Sequence, residues 1–346
     1  MNYSTFNPHQ ISIKNNCFFG LPTSIEQSKI VFFSVPWDVT VSYGEGTSGG
    51  AQAILEASYQ LDWYDFDLPQ AWQKGYATIP IDNSIKIKND SMRSIARKVI
   101  DYLESGNDLN DEAIAQELAT INQASRDLND WVYHQCHTYL SQGKLIALIG
   151  GDHSSPLGYI KALTEYHQDF SILHIDAHAD LRKAYEGFTY SHASIMYNVM
   201  ELPNINKLVQ VGIRDLCQEE MDKIQADDRI ILFDDWQLKN NIYEGISWQN
   251  QCQNIIKNLS EKVYISFDID GLNQTFCPNT GTPVAGGLDF NQAIYLMQTL
   301  VKSGRKIIGF DLCEVAPDKA NPDNQWDGNI GARLLYKLTN LMYLSS

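Results

Sequence analysis

Ser171-Ile172-Leu173-His174-Ile175-Asp176-Ala177-His178-Ala179-Asp180 is an apolar run that ends in acids and an imidazole. Continuous rather than alternating apolar character is the pattern of a strand covered on both faces of a parallel sheet. In an extended segment side chains alternate, so Asp176, His178 and Asp180 are expected to point to one side. Two other runs have the same form. Leu145–Ile149 leads into Gly150-Gly151-Asp152-His153-Ser154, and Val263–Phe267 leads into Asp268-Ile269-Asp270-Gly271. Three strands thus deliver acids or imidazole at their carboxyl ends, where open α/β sheets bind ligands.

Further runs at Ile30–Val35, Lys207–Gly212, Arg229–Phe233 and Lys306–Phe310 read as strands of the same kind. Segments with helical spacing lie between most of them, such as Gly158–Tyr166, Gln218–Ile224, Ile246–Leu259 and Phe290–Ser303. The alternation predicts βαβ units, and so an α/β fold: a three-layer α/β/α sandwich around a mainly parallel sheet. Residues 83–142 break the pattern. They read as helices without strands, including one from Asn110 to Leu140 with Leu118, Ile121, Leu128, Trp131 and Val132. This is a helical insertion or packing layer within one domain spanning 1–346. His134, Cys136 and His137 do not share one helical face, so that helix end is not read as a metal site.

The chain has 346 residues, 44% of them hydrophobic, which supports a sizeable core and argues against disorder. A formal net charge of -16 speaks against binding a phosphate backbone and favours a small cationic substrate. Six cysteines without a CxxC pair read as free thiols in a reducing compartment. The start shows no basic and apolar signal pattern, and no run approaches the ~20 apolar residues of a membrane span. The expectation is a cytoplasmic protein with no nucleic-acid or membrane partner.

The strand ends offer His153, Asp176, His178, Asp180, Asp268 and Asp270. Such a cluster repels itself: two carboxylates about 4 Å apart cost roughly 4 kcal/mol at an effective dielectric near 20. Divalent cations are the simplest remedy. Imidazoles and carboxylates without thiolate suit Mn²⁺, with Ni²⁺, Co²⁺, Fe²⁺ and Zn²⁺ as alternatives. Six donors exceed a closed tetrahedral zinc site and suit a pair of ions sharing bridging carboxylates.

These segments, with Gly281-Thr282-Pro283-Val284-Ala285-Gly286-Gly287-Leu288 and Gly309-Phe310-Asp311-Leu312-Cys313-Glu314-Val315, resemble the ureohydrolase family of arginases and agmatinases. Gly46-Thr47-Ser48 with Ala51 and Ile54 resembles the family's early loop and first helix. The resemblance implies an arginase-like fold, a binuclear manganese site and hydrolysis of a guanidinium group to urea and an amine. It assigns one ion to His153, Asp176, Asp180 and Asp268, and the other to His178, Asp176, Asp268 and Asp270. It also implies Glu314 as the carboxylate holding the guanidinium, Asp180 as a proton relay, His192 as a proton shuttle, and Thr282 beside the substrate. His192 is expected to titrate near neutrality, which suits acid–base work. Trimers or hexamers follow from likeness alone.

Two departures bear on the substrate. Leu272 is followed by Asn273 where the family usually has Asp, which implies altered local support rather than loss of metal. The segment Leu181-Arg182-Lys183-Ala184-Tyr185-Glu186-Gly187 lacks the Asn and small hydroxyl residues with which arginases hold an amino acid's α-groups. Arg182 reads as a partner for a substrate carboxylate or for Glu186, and Glu186 itself as a loop acid. Trp326 reads as a pocket wall or a loop anchor, and His174 as a core residue. The first reading is an agmatinase-like hydrolase; arginase, formiminoglutamate, guanidino-acid and guanidine hydrolases are alternatives. A non-catalytic metal-binding homologue and a mononuclear zinc amidohydrolase are rivals of other kinds.

Overall fold

A computed structural model describes residues 6–346 of the chain. Eight strands form one parallel sheet: β1 (Ile30–Ser34), β2 (Tyr76–Thr78), β3 (Leu145–Ile149), β4 (Phe170–Ile175), β5 (Ile205–Val211), β6 (Ile230–Phe233), β7 (Lys262–Asp268) and β8 (Lys306–Cys313). Their order is β2-β1-β3-β8-β7-β4-β5-β6. After β3 the chain skips to β4, runs outward through β6, then returns to fill the gap with β7 and β8. The four central strands end level with one another, as the pairings Ile149↔Leu312, Phe267↔Leu312 and Ile175↔Phe267 show. That reversal opens the crevice at the carboxyl ends where such sheets bind ligands.

The helices are α1 (Gly50–Ser58), α2 (Asn83–Glu104), α3 (Glu112–Leu140), α4 (Leu157–Tyr166), α5 (Ile195–Met200), α6 (Gln218–Ala226), α7 (Asp235–Tyr243), α8 (Trp248–Ile256), α9 (Phe290–Lys302) and α10 (Trp326–Ser345). Two apolar clusters lie on opposite faces of the sheet. Ala147, Ile149, Leu173 and Phe310 pack with Ile54, Leu296 and Leu335 of α1, α9 and α10. Ile146, Leu148, Ile172 and Tyr264 pack with Leu128, Val132, Ile160 and Val199 of α3, α4 and α5. Neighbouring strand residues go to opposite layers, which is why the runs are apolar throughout.

All seven strands read from the sequence form. β2 escapes that reading because three residues carry no period. Residues 83–142 fold as two helices and their joining turns, and α3 lies directly on α4 and the β3 face of the sheet. α3 begins at Glu112 rather than Asn110, because the Asp111 side chain accepts the amides of Ala113 and Ile114 as an N-cap. Among the described residues no helix is long and apolar enough to cross a membrane, and the six cysteines are free.

Candidate metal centre and substrate cavity

Close backbone approach builds the strand ends. At Gly151 a Cβ would stand 2.0 Å from the Trp37 carbonyl oxygen, so only glycine lets the His153 loop pass there. The Asp152 amide donates to that carbonyl at 2.7 Å, while the Ser154 hydroxyl and amide donate to the Asp152 carboxylate. Asp268 is the last residue of β7, and its side chain accepts the Asp270 amide at 2.8 Å. Asp270 in turn accepts the Ala177 amide at 3.0 Å, tying the end of β7 to the end of β4.

The donors converge in two overlapping groups. His153 Nδ1 lies 2.9, 3.2 and 3.4 Å from carboxylate oxygens of Asp176, Asp180 and Asp268. His178 Nδ1 lies 3.2 Å from Asp270 and 3.5 Å from the other oxygen of Asp176. Asp176 therefore faces both groups. The segment after β4 is not an extended strand, however. Asp180 has φ +55°, and this left-handed turn swings its carboxylate back toward His153 instead of continuing an alternation.

Electrostatics mark the cluster as short of positive charge. Burial, with the negative charges of Asp270 and Asp176, pushes the Asp268 carboxyl well up. Burial and Asp176 push Asp180 up to about 6. Burial also opposes ionisation of Asp176, yet the imidazoles of His174, His153 and His178 hold it well below the usual range. Burial alone would depress His153 and His178; the surrounding carboxylates more than reverse that. Octahedral ligands about 2.1 Å from an ion stand about 3 Å apart, the spacing these donors already have. The oxygen- and nitrogen-rich set thus fits hard-to-borderline divalent ions.

The arginase family model matches residues 28–340. The chain belongs to the arginase family. It is 28% identical to the N(1)-aminopropylagmatine ureohydrolase of Synechocystis sp., over 91% of this chain and 90% of that one. It is 26% identical to the agmatinase of Bacillus anthracis, over 85% and 86%. The fold is that of the agmatine ureohydrolase of Thermoplasma volcanium (TM-score 0.72, 22% identity, 99% and 96% covered). The formiminoglutamase of Trypanosoma cruzi with Mn²⁺ shares it too (TM-score 0.69, 15% identity, 94% and 98% covered).

In this arginase-family chain a cavity of about 380 Å³ opens beside the metal-type donors. His178, Asp180, Arg182, His192 and Thr282, five of the sequence-derived candidates, line it with Tyr185, while His153, Asp176, Asp268, Asp270 and Glu314 are not in its lining. Glu314 sits at the end of β8 in a left-handed conformation, φ +64°. One of its carboxylate oxygens accepts the His153 amide at 2.9 Å. The other lies toward Gly281 on the cavity wall, 3.6 Å from where a Cβ on that glycine would be. Burial, with the charge of Asp152, raises the Glu314 carboxyl well above the usual range.

Two expectations are corrected. His192 does not titrate near neutrality: burial, with the charges of His178 and His153, lowers it to about 3. Arg182 does not pair with Glu186; it stacks 4.9 Å over the Tyr185 ring, and its nearest acid is Glu220 at 3.8 Å. Trp326 takes the loop-anchor alternative: 45% exposed, it donates its indole N–H to the Thr275 carbonyl at 2.8 Å. Asn273 caps the turn that follows, accepting the Thr275 amide at 3.0 Å, so its local support is of a different kind from a ligand's.

Sequence reasoning missed the residues behind the donors. His153 Nε2 lies 2.9 Å from the Ser266 hydroxyl, which donates to Asp311 at 2.8 Å. Such outer partners fix the ring and its basicity. His174 is buried as expected, but its Nε2 lies 2.8 Å from Asp176 and its Nδ1 faces Gln210 at 3.0 Å. Thr40 lies 3.4 Å from His192 Nδ1 and 3.3 Å from Asp152. A polar residue at alternate positions of an apolar strand was the available signal for Ser266 and Asp311. Thr40 carried none.

Proposed function

We propose that this protein hydrolyses the C–N bond of a guanidino group to urea and an amine, using a pair of divalent transition ions, manganese first, and an agmatine-like substrate. The carrying observation is that carboxylates of Asp176, Asp180 and Asp268 close on His153 Nδ1, and those of Asp176 and Asp270 on His178 Nδ1. Relatives named agmatinase and N(1)-aminopropylagmatine ureohydrolase support the reading.

When bound, such ions lower the pKa of water toward neutrality and stabilise developing negative charge. The chain's own residues supply the rest. Glu314 presents a carboxyl for the planar guanidinium fork, and a cation paired there would offset the upward push of burial. His192, neutral at working pH, can hydrogen-bond the departing amine through a ring nitrogen; with a value of about 3 it holds that amine rather than carrying its proton. Asp180 lies between the His153 group and the cavity, placed to relay that proton. Thr282 shapes the wall on the Gly281–Val284 segment.

Substrate choice rests on the outer wall. Arg182 is offset by Glu220 and by the Tyr185 face, whereas Asp215 lines the cavity exposed and forms no side-chain bond among the described residues. The surplus charge there is negative, which suits a cationic tail over a carboxylate. A second reading, a guanidino acid held by Arg182, draws on that guanidinium's place in the cavity. Urea release after manganese or nickel loading, from a panel of agmatine, aminopropylagmatine, arginine, guanidine and guanidino acids, separates them. Preference for the cationic compounds supports the first reading, preference for acids the second, and no urea from any compound removes both.

A further inference from the structure

We propose that Asn89 and Arg93 of α2 are positioning residues for the reaction, holding the Trp37–Gly46 loop, and with it Thr40, Ser42 and Tyr43, against the catalytic cavity. The proposal rests on reading that cavity as the active site. It gives the helices of residues 83–142 a role beyond covering the sheet.

Both ends of the loop are fastened to one face of α2. Asn89, 1% exposed, accepts the Asp38 amide on Oδ1 at 2.7 Å and donates from Nδ2 to the Asp38 carboxylate at 2.9 Å. The second Asp38 oxygen accepts the amides of Gly46 and Ser48 at 3.0 and 3.1 Å, which closes the loop on itself. One turn further along α2, Arg93 donates Nη1 to the Val39 carbonyl at 2.8 Å, and Nε and Nη2 to Glu45 at 3.1 and 2.8 Å. Arg97 follows on the same face and also reaches Glu45. Every side-chain hydrogen bond that Arg93 makes among the described residues goes to this loop. A buried guanidinium is costly unless fully paired, so the helix and the loop hold each other's position.

The middle of the loop faces the chemistry. Ser42 and Tyr43 line the cavity, and Thr40 accepts the His192 amide at 3.2 Å while facing its Nδ1. On the far side the Gly44 amide donates to the Gly281 carbonyl at 3.0 Å, and a Cβ on Gly44 would stand 2.7 Å from that oxygen. The loop is therefore wedged between α2 and the Gly281–Val284 wall. A shift of α2 moves Tyr43 and Ser42, which line the cavity, and Thr40, which hydrogen-bonds His192.

The test compares Asn89→Ala, Arg93→Ala and Arg93→Lys with wild type and with Lys88→Ala. The last cuts only an exposed α2–α3 pair, Lys88 to Asp127 at 3.1 Å. In the manganese-loaded enzyme, Asn89→Ala and Arg93→Ala should raise KM and lower kcat. Together these should cost roughly tenfold to a hundredfold in kcat/KM, as small misplacements do. Metal content should stay unchanged. Arg93→Lys should recover part of the loss, and Lys88→Ala should match wild type. Hydrogen exchange should speed up in peptides covering 37–46 but not in those covering β3. Wild-type kinetics and loop exchange in folded Asn89→Ala and Arg93→Lys overturn the proposal, even if Arg93→Ala does not fold. A wild-type protein inactive on every guanidino compound overturns the functional reading instead; loop exchange still decides whether α2 holds the loop.

Discussion

At the scale of single residues, the site separates groups that hold charge from groups that move it. Burial and the charge of Asp152 raise the Glu314 carboxyl, and a guanidinium beside it would favour the ionised form. Glu314→Gln removes the charge and keeps the shape. It should weaken substrate binding by roughly 1.5–3 kcal/mol, about tenfold to a hundredfold in kcat/KM, with metal content intact; steady-state urea release checks this, and an unchanged kcat/KM contradicts the assignment. His192 gives a pH prediction. Its folded value of about 3 lies below that of an unfolded histidine. Below the unfolded value the unfolded chain binds the extra proton, so His192 costs stability as pH falls, and costs nothing above pH ~7. His192→Gln should therefore lose less stability than wild type between pH 7 and 5, measured by denaturant midpoints at each pH.

The donor residues were legible because acids at the ends of apolar runs are rare without a ligand. Their partners were not. Arg182 meets Glu220 of α6, distant in sequence, and the sequence neighbour Glu186 was the misleading choice. The pKa of His192 depends on burial that no local pattern announces.

At the scale of elements, the strand-to-loop junctions decide the geometry. The runs Leu145–Ile149, Ser171–Ile175 and Lys262–Phe267 announced β3, β4 and β7 within a residue, since burial on both faces leaves a continuous apolar signature. β2 and the capped start of α3 were lost to shortness and to a side-chain bond that periodicity cannot express. Gly151 matters for a reason visible only in space. Gly151→Ala would force a Cβ against the Trp37 carbonyl and displace the His153 loop. Overpacking of this kind costs typically 1–3 kcal/mol. We expect a lowered urea midpoint together with weaker manganese affinity, measured by denaturation and by metal titration. A midpoint and an affinity equal to wild type would contradict the packing argument.

At the scale of the whole molecule, the proposed ions should be tied to the stability of the sheet. The carboxylates and imidazoles of the site come from four neighbouring strands, β3, β8, β7 and β4, with the ions as the simplest way to hold their charges together. Ligands that bind only the folded chain stabilise it by about 2.7 kcal/mol at a concentration one hundred times their Kd. Chelation should therefore lower the thermal midpoint by several degrees, and re-addition of manganese should restore it. Equal midpoints with and without chelator would show that the ions contribute nothing to the fold. The order of strands along the sheet was not legible in the sequence, because β7 and β8 enter the middle only after the outer strands are laid down. What was legible was that three of those strands end in metal-type donors.

The most direct test of the central claim is the metal content of the purified, manganese-loaded protein beside its Asp268→Asn variant, by elemental analysis. The wild-type chain should hold close to a pair of transition ions, and the variant clearly fewer. A single zinc per chain, no bound metal, or a variant that binds as wild type does would contradict it.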